Sequence, residues 1–377
     1  MRYCKKCVMP DTRPGLIIDE DGICIACKHH EQKNTIDWDE RWKELENLAN
    51  KYRGCNGNYY DCIITASSGK DSYYQLHIFK EKLKMNPLVV SVGNFTSSKT
   101  GIENWDNMLN EFGVDAIQLT LNPRVCKHMF LKGLKKGIPT WYFDKAIYSW
   151  PLKIATQMKI PLVVYGENIN YEYGGLQSLD TPSAKDQLQN DVVKPIPVED
   201  WIDNDIKSSD FAPCLSVSKE ELEKLEPIYL SYYIPWSGYG NMQWARTRGF
   251  KTLDDTREWK REGFIEQYDQ IDTIGYLVHS WFKFPKLGHS RTTDIASLWI
   301  REGRISREKA VEKVIEEDWK LDRKMLNDFI KFIGISESQF WKIVDKWANR
   351  DIVEKQNENW VLKKNVKNAL KNGEEVK

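Results

Sequence analysis

The sequence predicts an α/β protein: a doubly wound parallel sheet with a cysteine-rich ribbon before it and a mainly helical region after it. Three observations carry this. Short apolar runs at 60–65, 88–92, 116–121 and 161–165 alternate with stretches of helical period, the pattern of successive βαβ units. Two CxxC pairs open the chain. Beyond Arg291 the apolar residues recur at helical spacing, with capping signals at Ser306 and at Ser336-Glu-Ser-Gln339. The implied division is a ribbon over 1–37, the α/β domain over 38–250 with an insertion at 176–215, and a helical region over 251–377.

The ribbon comes first. Cys4-Lys-Lys-Cys7 and Cys24-Ile-Ala-Cys27 lie sixteen residues apart, and each pair can turn two thiolates onto one ion. Four sulfurs suit tetrahedral zinc. The stretch between them holds Pro10, Pro14, Gly15 and Gly22 and only Leu16, Ile17 and Ile18 as an apolar strand, so metal must supply the stability its core cannot. A closed four-thiolate site has no open position and is structural. His29 and His30 read as solvated surface histidines. The remaining cysteines, Cys55, Cys62, Cys126 and Cys214, form no pair.

Trp42, Leu45 and Leu48 recur at helical spacing between Trp38 and Lys51, giving a connector helix. The first strand of the sheet, 60–65, is followed by a helix from Ser72 to about Lys84, and 88–92 is the second strand. Thr100 is placed to cap the next helix, whose apolar positions Ile102, Trp105, Leu109 and Phe112 precede Gly113. A third strand covers 116–121. Ser149-Trp-Pro151 offers a cap and a first-turn proline for a helix reaching Met158, and 161–165 is the fourth strand. The loops at 66–72, 93–99 and 166–175 then share the carboxyl edge of the sheet, where ligands bind in such folds. From 176 to 215 the pattern dissolves into Asp, Ser, Pro and Gln, an excursion or lid. The aromatic-rich stretch 227–249 reads mainly as core, and the charged tail from Lys363 as frayed.

Composition narrows the function classes. The 377 residues carry 55 basic and 55 acidic side chains, which gives no global pull toward nucleic acid or membrane. Hydrophobic residues make up 41% without a run of membrane-spanning length, and the first residues lack the apolar core of a secretory signal, so a soluble cytoplasmic protein is expected.

The chemistry concentrates at Ala66-Ser67-Ser68-Gly69-Lys70-Asp71-Ser72, where an apolar strand runs into a small, hydroxyl-rich loop and on into a helix. Backbone N–H groups can converge there on phosphate oxygens, the helix start adds its positive end, and Asp71 can hold magnesium. It is not a Walker A loop, which requires four residues between its glycines and a terminal Gly-Lys-Ser/Thr. Val92 and Gly93, at the end of the second strand, are placed to read adenine. Gly166, Glu167 and Asn168 end the fourth strand, where Glu167 and Asn168 can bind magnesium or orient a substrate. Arg291 and Asp294 can complete a phosphate or sugar site.

The loop resembles the SGGxDS loop of the PP-loop ATP pyrophosphatases, with Ser68 where that superfamily usually has glycine. Taken in order with the two CxxC pairs, Gly93-Asn-Phe95, Tyr165-Gly-Glu-Asn168, Glu172-Tyr-Gly-Gly175 and Gly288-His-Ser-Arg291-Thr-Thr-Asp294, the chain resembles the N-acetyl sugar amidotransferases of the WbpG/PseA type. The resemblance implies a HUP-like fold and the ATP-dependent conversion of an acetamido group on an activated or nonulosonic sugar into an acetamidino group, in O-antigen or flagellar glycan biosynthesis. It implies ATP and Mg2+ at 66–72, with Lys70, Asp71, Glu167 and Asn168 catalytic and Arg291 among the nucleotide-binding residues. Ammonia would come from a HisH-like glutaminase subunit, with a HisF-like cyclase-type subunit as a further partner. The chain itself offers no glutaminase nucleophile: residue 2 is Arg, and neither Cys126 nor Cys214 sits in a glycine-flanked elbow. Two rival readings are a tRNA-thiolating enzyme, which needs reactive cysteines and an RNA surface, and a non-catalytic ribbon module with a degenerate nucleotide fold.

Overall fold

The computed structural model describes residues 1–57, 59–93, 95–175, 181–186 and 196–376. At the amino terminus the side chains of Cys4, Cys7, Cys24 and Cys27 are buried, with their sulfurs within 4.8 Å of one another. Helix α1 (Ile25–Gln32) begins within the second pair, and α2 (Trp38–Tyr52) starts on Asp37, whose carboxylate accepts from the amides of Asp39 and Glu40. Leu45 turns inward from α2 as the spacing predicts, Trp42 and Leu48 pack partly buried beside it, and Ala49 and Tyr52 complete the buried face.

The sheet is built from β1 (Cys62–Thr65), β2 (Pro87–Gly93), β3 (Ala116–Thr120), β4 (Leu162–Tyr165) and β5 (Glu226–Tyr229), all parallel, in the order β3-β2-β1-β4-β5. Ile64 stands opposite Val89 and Val164 in the middle of it. Both faces are covered, so β1, β2 and β4 are apolar without alternation. The crossovers carry α3 (Lys70–Leu76), α4 (Lys99–Phe112), α5 (Pro123–Lys135), α6 (Trp141–Met158), α7 (Ile169–Tyr173) and α8 (Lys219–Glu223). Strand order reverses between β1 and β4, which opens a crevice beyond their carboxyl ends.

After β5 come α9 (Gly238–Arg246), α10 (Leu253–Thr256), α11 (Val278–Leu287), α12 (Arg291–Arg301), α13 (Arg307–Glu317), α14 (Arg323–Ile333) and α15 (Glu337–Trp347). The antiparallel pair β6 (Val353–Gln356) and β7 (Asn359–Leu362) precedes α16 (Lys364–Asn372). Ser306 and the Ser336/Gln339 capping box open α13 and α15 as expected.

Several elements differ from the sequence expectation, each for a local reason. Helix α3 begins at Lys70 on Gly69 rather than at Ser72, and it continues as a wider π turn over His77–Lys82. Ser98, not Thr100, caps α4; its hydroxyl accepts from the Gly101 amide, while Thr100 is buried against Glu258. Helix α6 starts at Trp141 and carries Pro151 in its interior, where burial of Trp141, Tyr142 and Ala146 offsets a proline cost of about 3 kcal/mol. Helix α5 and strand β5 went unread, although Asn122 and Pro123 form a ready N-terminus for α5. β5 contains Pro227 and is tolerated because it lies at the sheet edge. The tail is not frayed. α16 buries Val366, Ala369 and Leu370, and the Tyr3 amide donates to Glu374 O at 3.0 Å, tying the two ends of the chain together.

Within 176–215, residues 176–180 and 187–195 lie outside the described residues. Of the rest, Trp201 stacks on Trp141 at 4.5 Å between centroids, and Tyr142 donates to Asp210 O, so this part lies against α6. In the aromatic stretch, Tyr229 and Tyr233 are buried and Trp236 and Trp244 pack on the core around β1.

Candidate active site

A cavity of about 690 Å³ opens where the crevice was expected. Its near wall is the sheet edge: Ala66, Ser67, Ser68, Asp71 and Ser72 after β1, Val92 and Gly93 at the end of β2, and Gly166 and Glu167 after β4. Nine predicted residues thus meet in one place. Gly69, Lys70, Asn168 and Arg291 do not line the cavity.

The hydroxyls give the loop its shape. Ser72 Oγ accepts from the Ser67 amide at 3.1 Å and Ser67 Oγ from the Gly69 amide at 3.2 Å, so two small side chains close the turn on itself. Ser68 is 4% exposed and does not adopt the left-handed backbone, so its position makes no demand for glycine.

Charge is organised behind the loop. Lys70 Nζ donates to Asp71 Oδ2 at 2.7 Å and to Asp269 Oδ1 at 2.5 Å, and Asp269 pairs with Arg291 through its other oxygen. Burial alone would lower the Lys70 value, but Asp71, with Glu167 and Tyr268, more than offsets it and Lys70 is held above its ordinary range. Arg291 is therefore a buried support of the lysine. Asp71 Oδ1 accepts from Asn241 Nδ2 at 2.8 Å. Glu167 is pushed up to about 7, first by burial and then by the charge of Asp71, with Lys70 acting the other way. Two mutually repelling carboxylates in one cavity form a hard oxygen set suited to a divalent cation. Asn168 instead caps α7, accepting from the amides of Asn170 and Tyr171. Asp294 lies within the helical region, where burial would raise its value but Lys283 and Arg13 hold it well below the usual range.

The far wall was not foreseen. Phe143, Ile147 and Tyr148 come from one face of α6, and Gln270, Asp272, Thr273 and Tyr276 from the segment before α11. That segment is sewn to the loop before α4: the Ser98 amide donates to Asp272 O at 3.0 Å, Ile274 to Thr96 O at 2.7 Å, and Tyr276 to Thr96 Oγ1 at 3.1 Å. Gly101 makes the approach possible, since a Cβ there would stand 2.4 Å from Asp272 Cα. Tyr276 donates its hydroxyl to Asp144 at 2.7 Å, and burial holds Asp144 up to about 7. The sequence signal for this wall was limited to Gly101, whose partner lies 171 residues away.

The four thiols of the ribbon fit a structural zinc. Backbone amides of Cys7 and Cys24 donate to Cys4 Sγ at 3.4 and 3.2 Å, as they do to thiolates, and Arg307 donates to the carbonyls of Cys7 and Cys4. His29 is not solvated as expected: it is 5% exposed and stacks on Tyr171 at 4.7 Å. With Arg13, which donates to Tyr173 O at 3.0 Å, it ties the ribbon to α7 beside Glu167. Cys126 and Cys214, the candidate reactive thiols, are buried and do not line the cavity; burial pushes Cys126 up to about 12 and Cys214 higher still.

Comparison with known proteins adds a family likeness at the carboxyl-terminal end. Residues 262–367 match the C-terminal domain of WbpG-like lipopolysaccharide biosynthesis proteins. The matched segment includes the part of the far wall contributed by Gln270, Asp272, Thr273 and Tyr276. A second similarity is to the uncharacterized protein MJ1599 of Methanocaldococcus jannaschii, 27% identical over 179 residues, which is 47% of this chain and 62% of the archaeal protein. Among the described residues no helix is long and apolar enough to cross a membrane.

Proposed function

We propose that this chain is an ATP-dependent amidotransferase of bacterial surface-polysaccharide biosynthesis that converts an acetamido group of an activated or nonulosonic sugar into an acetamidino group. The observation that carries the reading is the meeting of the Ala66–Ser72 loop, Gly93 and Glu167 at the switch point of the sheet, in a cavity whose opposite wall is built in part by the WbpG-like segment.

An amide carbonyl is a poor electrophile, and its oxygen is a poor leaving group. Transfer of the adenylyl group to that oxygen releases pyrophosphate and gives an O-adenylyl imidate, from which ammonia displaces AMP. In this scheme the loop hydroxyls and the start of α3 receive the phosphates, and Val92 and Gly93 border the adenine. Asp71 and Glu167 would hold Mg2+, which supplies charge neutralisation at the transferring phosphate. Lys70, braced by Asp269 and Arg291, holds the Asp71 carboxylate in place. Asn168 fixes the start of α7 and with it the backbone that follows Glu167. In this scheme ammonia comes from a separate glutaminase subunit, a reading supported by Cys126 and Cys214 lying outside any glycine-flanked elbow. The buried state of Cys126 and Cys214 weighs against tRNA thiolation.

The test is purified protein with ATP, Mg2+, ammonium and a panel of nucleotide-linked diacetamido sugars. AMP formed together with an O-to-NH mass change on the sugar is the expected result. ADP, or AMP only with tRNA and a sulfur donor, overturns the reading. Asp71→Ala abolishes turnover and leaves the zinc content unchanged; surviving activity would remove the loop from the mechanism.

A further inference from the structure

We propose that Asp272 receives the nitrogen nucleophile: it binds ammonium at the far wall of the cavity and takes one proton from it, releasing ammonia for attack on the activated acceptor carbon. This rests on the amidotransferase reading above.

The carboxylates of the cavity divide by what neutralises them. Asp71 is engaged by Lys70 and Asn241, and Glu167 shares the near wall with that pair. Asp106 sits exposed at the rim. Asp272 lines the cavity with no ion-pair partner among the described residues. Burial raises its value above the ordinary carboxylate range, against the opposing pull of its own backbone amide and of the Lys70 and Arg261 charges. A desolvated carboxylate in that position gains from a cation that brings its own N–H donors, and it accepts a proton readily.

Its surroundings hold buried, unpartnered oxygens and ring faces. Thr273 is 3% exposed and its Oγ1 has no partner among the described residues; the same holds for Gln270 Oε1. Gln270 also adopts the left-handed backbone at φ 49°, an uncommon conformation for a side chain of this kind and one that tends to persist where function requires it. Tyr276, Phe143 and Tyr148 border the same space, and aromatic faces attract small cations. The bonds from Ser98, Thr96 and Ile274 fix the segment before any ligand arrives. A small ammonium ion suits the carboxylate and the ring faces that line this space.

The step balances without a further reagent. Ammonium gives one proton to the Asp272 carboxylate, and the ammonia lone pair forms a C–N bond to the imidate carbon. The C–O bond to the adenylyl group breaks and AMP leaves with the electron pair. A proton of the incoming nitrogen passes to the sugar nitrogen, giving the amidinium product, and Asp272 returns its proton to solvent.

The experiment separates this step from adenylation. With an acceptor found in the sugar panel, acceptor-dependent exchange of labelled pyrophosphate into ATP reports adenylation without ammonia. Asp272→Asn is expected to raise the KM for ammonium by roughly 30-fold or more and to leave the exchange rate within about 2-fold of the parent. Hydroxylamine, which is neutral at the assay pH and needs no base, is expected to react with the variant at nearly the parental rate. An unchanged KM for ammonium, or loss of exchange in the variant alone, overturns the assignment of Asp272. Absence of exchange in the unmodified protein with every sugar overturns the amidotransferase reading itself.

Discussion

The two walls of the cavity are made in opposite ways. The near wall is local: its loop is seven contiguous residues hung on β1, and its other members end β2 or directly follow β4, the two strands that flank β1. Its geometry follows from one strand-to-helix turn, and small residues with hydroxyls announce it. The far wall is assembled across the chain, from one face of α6 and a segment more than a hundred residues later that is pinned to the loop before α4. Nothing in the residues 270–276 taken alone marks them as a cavity wall. On the function proposed above, the difference separates general chemistry from particular substrate. A phosphate cradle reuses backbone amides and helix ends and recurs in many proteins, whereas acceptor recognition depends on which distant side chains a given fold brings opposite it.

Legibility followed the same division. Four of the five strands, the connector helix α2 and the thiol cluster could be read because each rests on a short-range pattern. β5 was hidden by Pro227 and by the aromatics after it, and the true start of α6 by a proline that tertiary packing tolerates. Lys70 shows the limit within the legible wall itself. Its place in the loop is a sequence fact, but its pairing with Asp269, and Arg291 beyond it, requires residues brought from the helical region.

The largest effect is expected from the ribbon that braces the near wall through α7. Cys24→Ser removes one of four sulfurs, so zinc content falls from about one ion per chain to about none, and several kcal/mol of stability go with it. Thermal melts with parallel metal analysis check this. A chain that keeps its zinc, or loses it without a change in melting temperature, would show that the ribbon does not support the cavity.

The far wall is broken most directly at Gly101. In Gly101→Ala the new Cβ meets the backbone of Asp272 at 2.4 Å, and neither backbone can rotate away as a flexible side chain would. A loss of about 1–3 kcal/mol follows, read as a lower urea midpoint with an unchanged slope. Fluorescence unfolding of both forms decides it. An equal midpoint would mean that the 270–276 segment is not held by close approach to α4.

An effect that shows only on titration, about 3 kcal/mol across the whole window, is expected from Glu167 in the metal-free chain. Its carboxyl titrates at about 7 in the folded protein against 4.5 for the unperturbed group. The folded state binds that proton more tightly, so the stabilisation is complete below the unfolded value and is lost as pH rises through about 7. Melting temperature should fall across this window, and Glu167→Gln should flatten the fall. Mg2+ should oppose it by favouring the ionised form. A slope identical in parent and variant would place the titration elsewhere.

The smallest effect is expected at Ser68, the residue that departs from the loop sequence the near wall resembles. If the loop required a glycine there, Ser68→Gly would relieve strain and raise both stability and nucleotide affinity. The structure points the other way: Ser68 lies outside the left-handed region, so glycine gains it no conformation it lacks. Glycine does add freedom to the unfolded chain, which argues for a loss of about 0.5–1 kcal/mol. Isothermal titration with ATP and Mg2+, set beside thermal melts, reads both quantities. A gain of 10-fold or more in affinity would show that Ser68 holds the cradle away from its phosphates, and that the wall most legible in the sequence is the one whose working geometry differs from that described here.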